Sequence, residues 1–281
     1  MDNQSTKSYP NIAQSWGITG ILILGMLLLL PVNLVLNNFI GKEASMFIYY
    51  LLSVGIPFII VNAARKRRTG RDTFNLAIGN KKVIPFIIIG TIALLFGVSS
   101  PMMSLIPVPE FFEEAFKELA NQRGIFAFMT IAIAAPVLEE MIFRGIVLDG
   151  LLKRYSLLKS ILLSSFLFGL VHLNPWQFIS GMVVGIFAGW IYYRTKSLSL
   201  AILVHASNNL SAFLAGYFID SESSMNDSLS EMYGGWINAM MVILGAVIIA
   251  MLCIYFLKKE FDKSSEEDQL CAEGIEVPID K

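Results

Sequence analysis

Eight long runs of apolar residues constrain this chain more than any other feature. They occupy residues 18–38, 45–63, 83–104, 124–151, 157–173, 175–193, 198–219 and 235–257. A helix needs about 20 residues to cross the ~30 Å hydrocarbon layer of a membrane. Composition agrees, because only 15% of the residues are charged, whereas soluble domains carry about 25%. The runs therefore predict an all-α fold, a polytopic membrane helix bundle with about eight transmembrane helices.

The basic residues predict the orientation of these helices. If successive runs cross the membrane in opposite directions, 17 of the 21 Lys and Arg residues lie on one side of it and three lie on the other. The remaining one, Arg144, lies within a run. Cytoplasmic loops carry the excess of Lys and Arg in membrane proteins. We therefore expect both termini to be cytoplasmic. The net charge of −1 argues against nucleic acid as a partner, because phosphate binding needs a basic surface.

The chain divides into four regions by composition. Residues 1–123 form an N-terminal three-span region, in which the Glu- and Phe-rich segment 105–123 predicts an amphipathic helix at the outer interface. Residues 124–219 form a four-span core. Residues 220–257 comprise an outer loop and the last span. The polar tail, 258–281, is expected to be cytoplasmic and disordered because it has few aromatic residues and many charges.

Three glycines in the sixth run are spaced four residues apart, at Gly181, Gly185 and Gly189. This spacing places them on one face of a helix, where small residues let a neighbouring helix approach closely. We interpret them as a packing surface.

Ionisable residues inside the fourth run need a physical reason, since each costs roughly 2.5–3.5 kcal/mol at the bilayer centre on insertion scales. Glu140 and Arg144 are spaced i,i+4, so they can neutralise each other on one helix face. Glu139 lies about 140° from Arg144 around the helix and has no such partner. The spacing predicts a structural ion pair for the first two residues and a functional role for Glu139.

Both histidines of the chain, His172 and His205, also lie in apolar runs. Phe168 precedes His172 by four residues and Asn209 follows His205 by four, so each pair shares a helix face. At 1.5 Å per residue, Glu139, His172 and Asn209 lie about 20–21 Å from basic residues at the cytoplasmic ends of their runs. A single histidine could simply join two helices by a hydrogen bond, but the common depth predicts one intramembrane polar cluster.

Such a cluster can hydrolyse an amide bond. A desolvated glutamate with a histidine beside it can deprotonate a water molecule, while a second histidine and an asparagine can stabilise the resulting oxyanion. Two histidines and a glutamate are also the ligand types of catalytic zinc. No H-E-x-x-H helix occurs in the sequence, which favours metal-free hydrolysis with no assigned cofactor and leaves zinc as the alternative.

Three motifs occur in order in successive runs: Glu139-Glu140-xxx-Arg144, Phe168-xxx-His172 and His205-xxx-Asn209. Together they resemble the motifs of the CAAX prenyl protease and bacteriocin-processing family (CPBP or Abi) of intramembrane proteases, which includes the type II CAAX prenyl endopeptidases. The resemblance covers roughly residues 124–210, so it implies that region 124–219 is the catalytic core.

The resemblance also implies roles for the motif residues. Glu139 would activate water with help from His172, and His205 with Asn209 would form the oxyanion hole. The family is often described as metalloproteases; if zinc is bound, its ligands would be Glu139, His172 and His205. The supporting motif residues would be Glu140, Arg144 and Phe168.

The expected function is therefore an intramembrane endopeptidase that cuts a membrane-associated or lipidated protein or peptide. Because prokaryotic relatives take part in peptide maturation, bacteriocin self-protection and scaffolding, we expect a multi-pass protein of a prokaryotic plasma membrane. A non-catalytic bacteriocin-immunity or scaffold protein is the alternative. A proton-coupled transporter is a third hypothesis, but the two halves of the chain lack matched Gly/Pro-broken helices.

Overall fold

The computed structural model describes residues 8–109, 113, 123–217 and 227–272. Within these ranges the chain contains no strand, which confirms the all-α prediction. Each apolar run corresponds to one long helix: α1 (Ile12–Ile40), α2 (Lys42–Thr69), α3 (Val83–Met103), α4 (Ile125–Leu152), α5 (Leu157–Leu170), α6 (Pro175–Thr195), α7 (Leu198–Ala215) and α8 (Trp236–Ala272).

Six of these helices are long and apolar enough to cross a membrane, namely α1, α2, α3, α4, α7 and α8. Helix α5 is apolar but has only 14 residues. Helix α6 has 21 residues, but glycine, tyrosine and tryptophan dilute its apolar character. The prediction of eight spans with both termini in the cytoplasm therefore stays a prediction.

The tail differs from its prediction, because α8 continues to Ala272 and residues 258–272 are helical rather than disordered. Extending an existing helix needs no new nucleus, and Lys, Glu and Gln are good helix formers. Phe261 is also buried and its ring lies 5.5 Å from that of Trp190, which holds the extension against α6. Residues 273–281 lie outside the described part of the chain.

The outer segment 105–123, predicted to form an amphipathic helix, falls mostly outside the described residues. The structure describes residues 105–109, 113 and 123 of it. Its beginning is tied to the bundle, because the indole nitrogen of Trp176 on α6 donates a 2.9 Å hydrogen bond to the carbonyl of Ile106.

Helix α4 lies at the centre of the bundle and positions the polar cluster. It contacts α2 on one side and α7 on another, and residues 142–148 in its second half are all buried. The first and last helices, in contrast, expose large apolar side chains such as Leu28, Phe39 and Ile237. Such exposure is what lipid-facing helices require, whereas the buried second half of α4 shields polar groups from lipid.

The glycine face of α6 packs against α5, as the spacing predicts. A Cβ atom on Gly185 would lie 2.8 Å from Cβ of Ser165, and one on Gly181 would lie 3.0 Å from Cα of Gly169. Real Cβ atoms essentially never approach as closely as 2.8 Å, and 3.0 Å is tighter than most real contacts, so glycine allows the two helices to meet here. This contact fixes the end of α5, from which His172 follows.

Candidate active site

The segment of α4 that carries the two glutamates lies between two π-helical turns. Regular α-helix runs from Ala135 to Ile142, with π-helix at Met129–Ala134 before it and at Phe143–Leu148 after it. Each π turn accommodates an additional residue and rotates the side chains that follow it. Such turns occur frequently at functional sites, and here they flank Glu139 and Glu140.

One carboxylate oxygen of Glu139 faces both histidines. Its Oε2 lies 3.9 Å from Nε2 of His172 and 4.0 Å from Nε2 of His205. Glu139 is only 7% exposed, and Oε2 is buried without a hydrogen-bond partner in the described part of the chain. A buried carboxylate oxygen normally has a partner. The space between Oε2 and the two imidazoles is therefore a suitable place for a water molecule.

The other oxygen of Glu139 is held by a residue outside the predicted site. The hydroxyl of Tyr50, on α2, donates a 2.7 Å hydrogen bond to Oε1. The only available signal was the polar pair Tyr49-Tyr50 within an apolar run. Tyr50 lies outside the three motifs and 89 residues from Glu139 along the chain, so spacing could not connect them.

His172 lies in the turn after α5, whereas the fifth run predicted that it would lie within the helix. Helix α5 ends at Leu170, and Leu173 has a positive φ of 56° that turns the chain toward α6. Nδ1 of His172 lies 2.9 Å from the carbonyl oxygen of Phe168. Since a carbonyl only accepts, Nδ1 carries the hydrogen and Nε2 presents a lone pair toward Glu139 when the ring is neutral.

Glu140 connects Arg144 and His205 in the interior of the bundle. Nη1 of Arg144 lies 2.6 Å from Oε1 of Glu140, and Nδ1 of His205 donates to the same oxygen at 3.0 Å. The contact between Arg144 and Glu140 confirms the predicted ion pair, and both residues are fully buried. The bond from His205 was not predicted. It fixes the imidazole so that Nε2 faces Glu139.

Phe168 forms an aromatic wall behind these polar groups. Its ring centroid lies 5.2 Å from that of His172 and 5.2 Å from that of His205, both edge to face. The guanidinium of Arg144 lies over the ring at 4.6 Å, a cation–π arrangement. The side chain is 1% exposed, so it excludes water from this side and restricts both imidazoles.

Asn209 lies one helical turn after His205 on α7 and has partners of its own. Its Nδ2 donates a 3.0 Å hydrogen bond to the carbonyl of Ile131 in the first π turn, and its Oδ1 accepts from Asn208 at 3.3 Å. A side-chain amide has two N–H groups. One N–H therefore anchors Asn209 to α4, and the second can donate to a substrate.

A small cavity adjoins Glu139 on the side of α1 and α2. It offers about 10 Å³ to the centre of a water molecule and is lined by Glu139 with apolar side chains that include Leu22, Val54 and Val171. One water molecule needs roughly this space. Neither histidine lines this cavity, so it is separate from the space between Oε2 and the two imidazoles.

The three predicted zinc ligands match zinc in type but not in spacing. A tetrahedral site with bonds of about 2.0–2.1 Å brings its ligand atoms to about 3.3 Å from each other, whereas Oε2 of Glu139 lies 3.9 and 4.0 Å from the two Nε2 atoms. No group of three or more His, Cys, Asp or Glu side chains in the described ranges is placed to hold a metal ion. The spacing suits a water molecule between these side chains better than it suits zinc.

Comparison with known proteins places this site in a recognised family segment. Residues 121–211 match the family model described as type II CAAX prenyl endopeptidase Rce1-like. The chain is also 32% identical over 78 residues to a Bacillus subtilis (strain 168) protein named "Putative membrane peptidase YdiL". That match covers 28% of this chain and 32% of the relative's length. No solved structure matches the chain. The family resemblance is thus confirmed for residues 121–211, the segment that carries all three motifs.

Proposed function

We propose that this chain is an intramembrane endopeptidase that uses Glu139 to activate water. The observation that carries the proposal is the position of the unpaired Glu139 Oε2, at 3.9 and 4.0 Å from the two histidine Nε2 atoms. The match to a family of type II CAAX prenyl endopeptidases supports peptide hydrolysis as the reaction. The membrane-crossing length of six helices supports a substrate that is itself membrane-associated or lipidated.

The proposed reaction begins with a water molecule held between Glu139 and His172. Glu139 takes one proton from the water. Nε2 of His172 accepts a hydrogen bond from the other O–H of the water and so orients the water molecule. The water oxygen bonds to the carbonyl carbon of the substrate, and the carbonyl oxygen becomes an oxyanion. Burial of the site strengthens each of these interactions, because bulk water does not screen them.

His205 and Asn209 are proposed to stabilise the oxyanion. Glu140 accepts the hydrogen bond from Nδ1 of His205, so Nε2 is the ring nitrogen that faces the reacting groups, and it donates to the oxyanion when it carries a hydrogen. Asn209 contributes its second N–H. When the carbon–nitrogen bond breaks, protonated Glu139 returns the proton to the departing amine, so the carboxylate is regenerated and the products are an acid and an amine.

A proteomic comparison of cells that carry the wild-type chain or Glu139→Gln tests this proposal. Glutamine keeps the size of the side chain but cannot accept a proton at neutral pH. We expect a membrane peptide or protein to accumulate uncut in the variant, in the prokaryotic plasma membrane where we place the chain. If the two kinds of cell contain the same membrane peptides and proteins, and Glu139→Gln still supports the wild-type cellular phenotype, the result would favour the non-catalytic immunity or scaffold role instead.

A further inference from the structure

A second cavity lies at the C-terminal end of α4, beyond the glutamates, and it is rich in positive charge. Its volume is about 640 Å³, which is within the size range of small-molecule sites. Four of its lining side chains are cationic and one is anionic, and they come from α2 and the segment after it, the end of α4 and the end of α6: Arg65, Arg71, Lys153, Lys196 and Asp149. It shares no residue with the candidate active site.

Arg65 is the feature of this cavity that calls for a ligand. The residue is 6% exposed, and its Nη1 is buried without a hydrogen-bond partner in the described ranges. Its Nη2 donates to the carbonyl of Thr73 at 3.2 Å, and its guanidinium lies 4.5 Å over the ring of Phe74. Thr73 and Phe74 thus hold the guanidinium in place, while its Nη1 is left without a partner. A buried charged donor is costly unless an acceptor reaches it.

The remaining charges of the cavity favour an anion. Asp149 forms an ion pair with Lys153 and also attracts Arg65 and Lys196, so one carboxylate is shared by several cations. Lys196 has a left-handed backbone conformation with φ of 53° at the end of α6, and it also lines the cavity. Four cations against one carboxylate leave the lining of the cavity with a net positive charge.

We propose that this cavity binds a phosphate group, and that the group belongs to the head of an anionic phospholipid. A guanidinium pairs with phosphate through two parallel hydrogen bonds, which suits an arginine with a free Nη1. The cavity lies at the end of the bundle that the basic residues predict to be cytoplasmic. Anionic lipids are concentrated in that leaflet, and basic pockets between transmembrane helices bind their head groups. The proposal does not depend on peptidase activity.

Binding to the purified full-length chain in a neutral detergent tests the proposal, with native mass spectrometry as the readout. The probes are dioctanoyl phosphatidylglycerol, dioctanoyl phosphatidylcholine as the zwitterionic match, and glycerol 3-phosphate as the soluble phosphate. Both lipids carry a phosphate, but the choline cation of phosphatidylcholine would face the cationic side chains of the cavity. We therefore expect phosphatidylglycerol to bind at least about tenfold more tightly than phosphatidylcholine. Tight binding of glycerol 3-phosphate alone would assign the same phosphate chemistry to a soluble ligand and overturn the lipid assignment.

Two variants and one control locate the binding. Arg65→Met keeps the apolar stem and should weaken phosphatidylglycerol binding at least about tenfold. Lys196→Gly suits the left-handed backbone there, so it keeps the fold and should weaken binding too if Arg65→Met fails to fold. Arg67→Met removes an exposed arginine from the same turn of α2 and should change affinity less than about twofold. Equal binding of the two lipids and no phosphate binding, or equal effects of Arg65→Met and Arg67→Met, would overturn the proposal.

Discussion

The hydroxyl of Tyr50 on α2 donates a 2.7 Å hydrogen bond to Oε1 of Glu139 on α4. This contact leaves Oε2 as the oxygen that faces the two histidines. It also brings the N-terminal three-span region into the site, although the family match covers only residues 121–211. The candidate active site is therefore completed by a helix that lies outside the recognised segment.

Replacing Tyr50 by Phe should reduce kcat more than it changes KM. The carboxylate would lose a charge-assisted hydrogen bond worth about 1.5–3 kcal/mol, so we expect roughly a tenfold or greater decrease in kcat. Steady-state kinetics on a cleaved peptide measure this. Tyr49→Phe is the control, because Tyr49 donates to the carbonyl of Met26 rather than to the site. Equal losses in both variants would contradict a positioning role for Tyr50.

Replacing Arg144 by Met should destabilise the fold strongly. Glu140 would remain fully buried without its cation, a change that typically costs about 3–5 kcal/mol. Thermal or denaturant unfolding in detergent measures the loss. Lys153→Met is the matched control, because Lys153 and Asp149 form a partly exposed i,i+4 pair at the end of the same helix worth about 0–1 kcal/mol. Similar stabilities for the two variants would show that the buried pair is not structural.

Replacing Gly185 by Ala should separate α5 from α6. The new Cβ would lie 2.8 Å from Cβ of Ser165, and such overpacking costs about 1–3 kcal/mol. Gly245→Ala on α8 is the control, since no atom of another helix in the described ranges lies within 4 Å of the added Cβ. We expect a lower melting temperature only for Gly185→Ala, together with reduced activity, because α5 positions His172. Unchanged melting would contradict the packing interpretation.

The sequence predicted the helices better than it predicted how they meet. Hydropathy located all eight, and helical spacing correctly paired Glu140 with Arg144, because both properties are local. The contact from Tyr50 to Glu139 spans 89 residues, and no period in the sequence encodes it. The position of His172 in a turn was missed for a related reason, since the end of α5 depends on the chain turning at Leu173 toward α6.

Removal of metal ions should leave peptide cleavage within about twofold of its original rate, because Glu139 can activate water without a bound ion. Its Oε2 lies farther from the histidine nitrogens, at 3.9 and 4.0 Å, than zinc ligands lie from each other. After dialysis against a chelator, elemental analysis measures the metal content of the protein and the peptidase assay measures the cleavage rate. One zinc per chain that leaves together with activity, and restores it on return, would make His172 and His205 metal ligands instead.

Cleavage by the purified chain in lipid vesicles, compared between wild type and Glu139→Gln, tests the central claim most directly. The substrate is the peptide that accumulates uncut in cells. Glu260→Gln is the control, because Glu260 accepts a hydrogen bond from Asn80 outside the site. We predict that Glu139→Gln keeps its melting temperature but lowers kcat/KM at least about a hundredfold, as loss of a general base does. Cleavage at the wild-type rate by folded Glu139→Gln would contradict the role of Glu139 as the base that activates water.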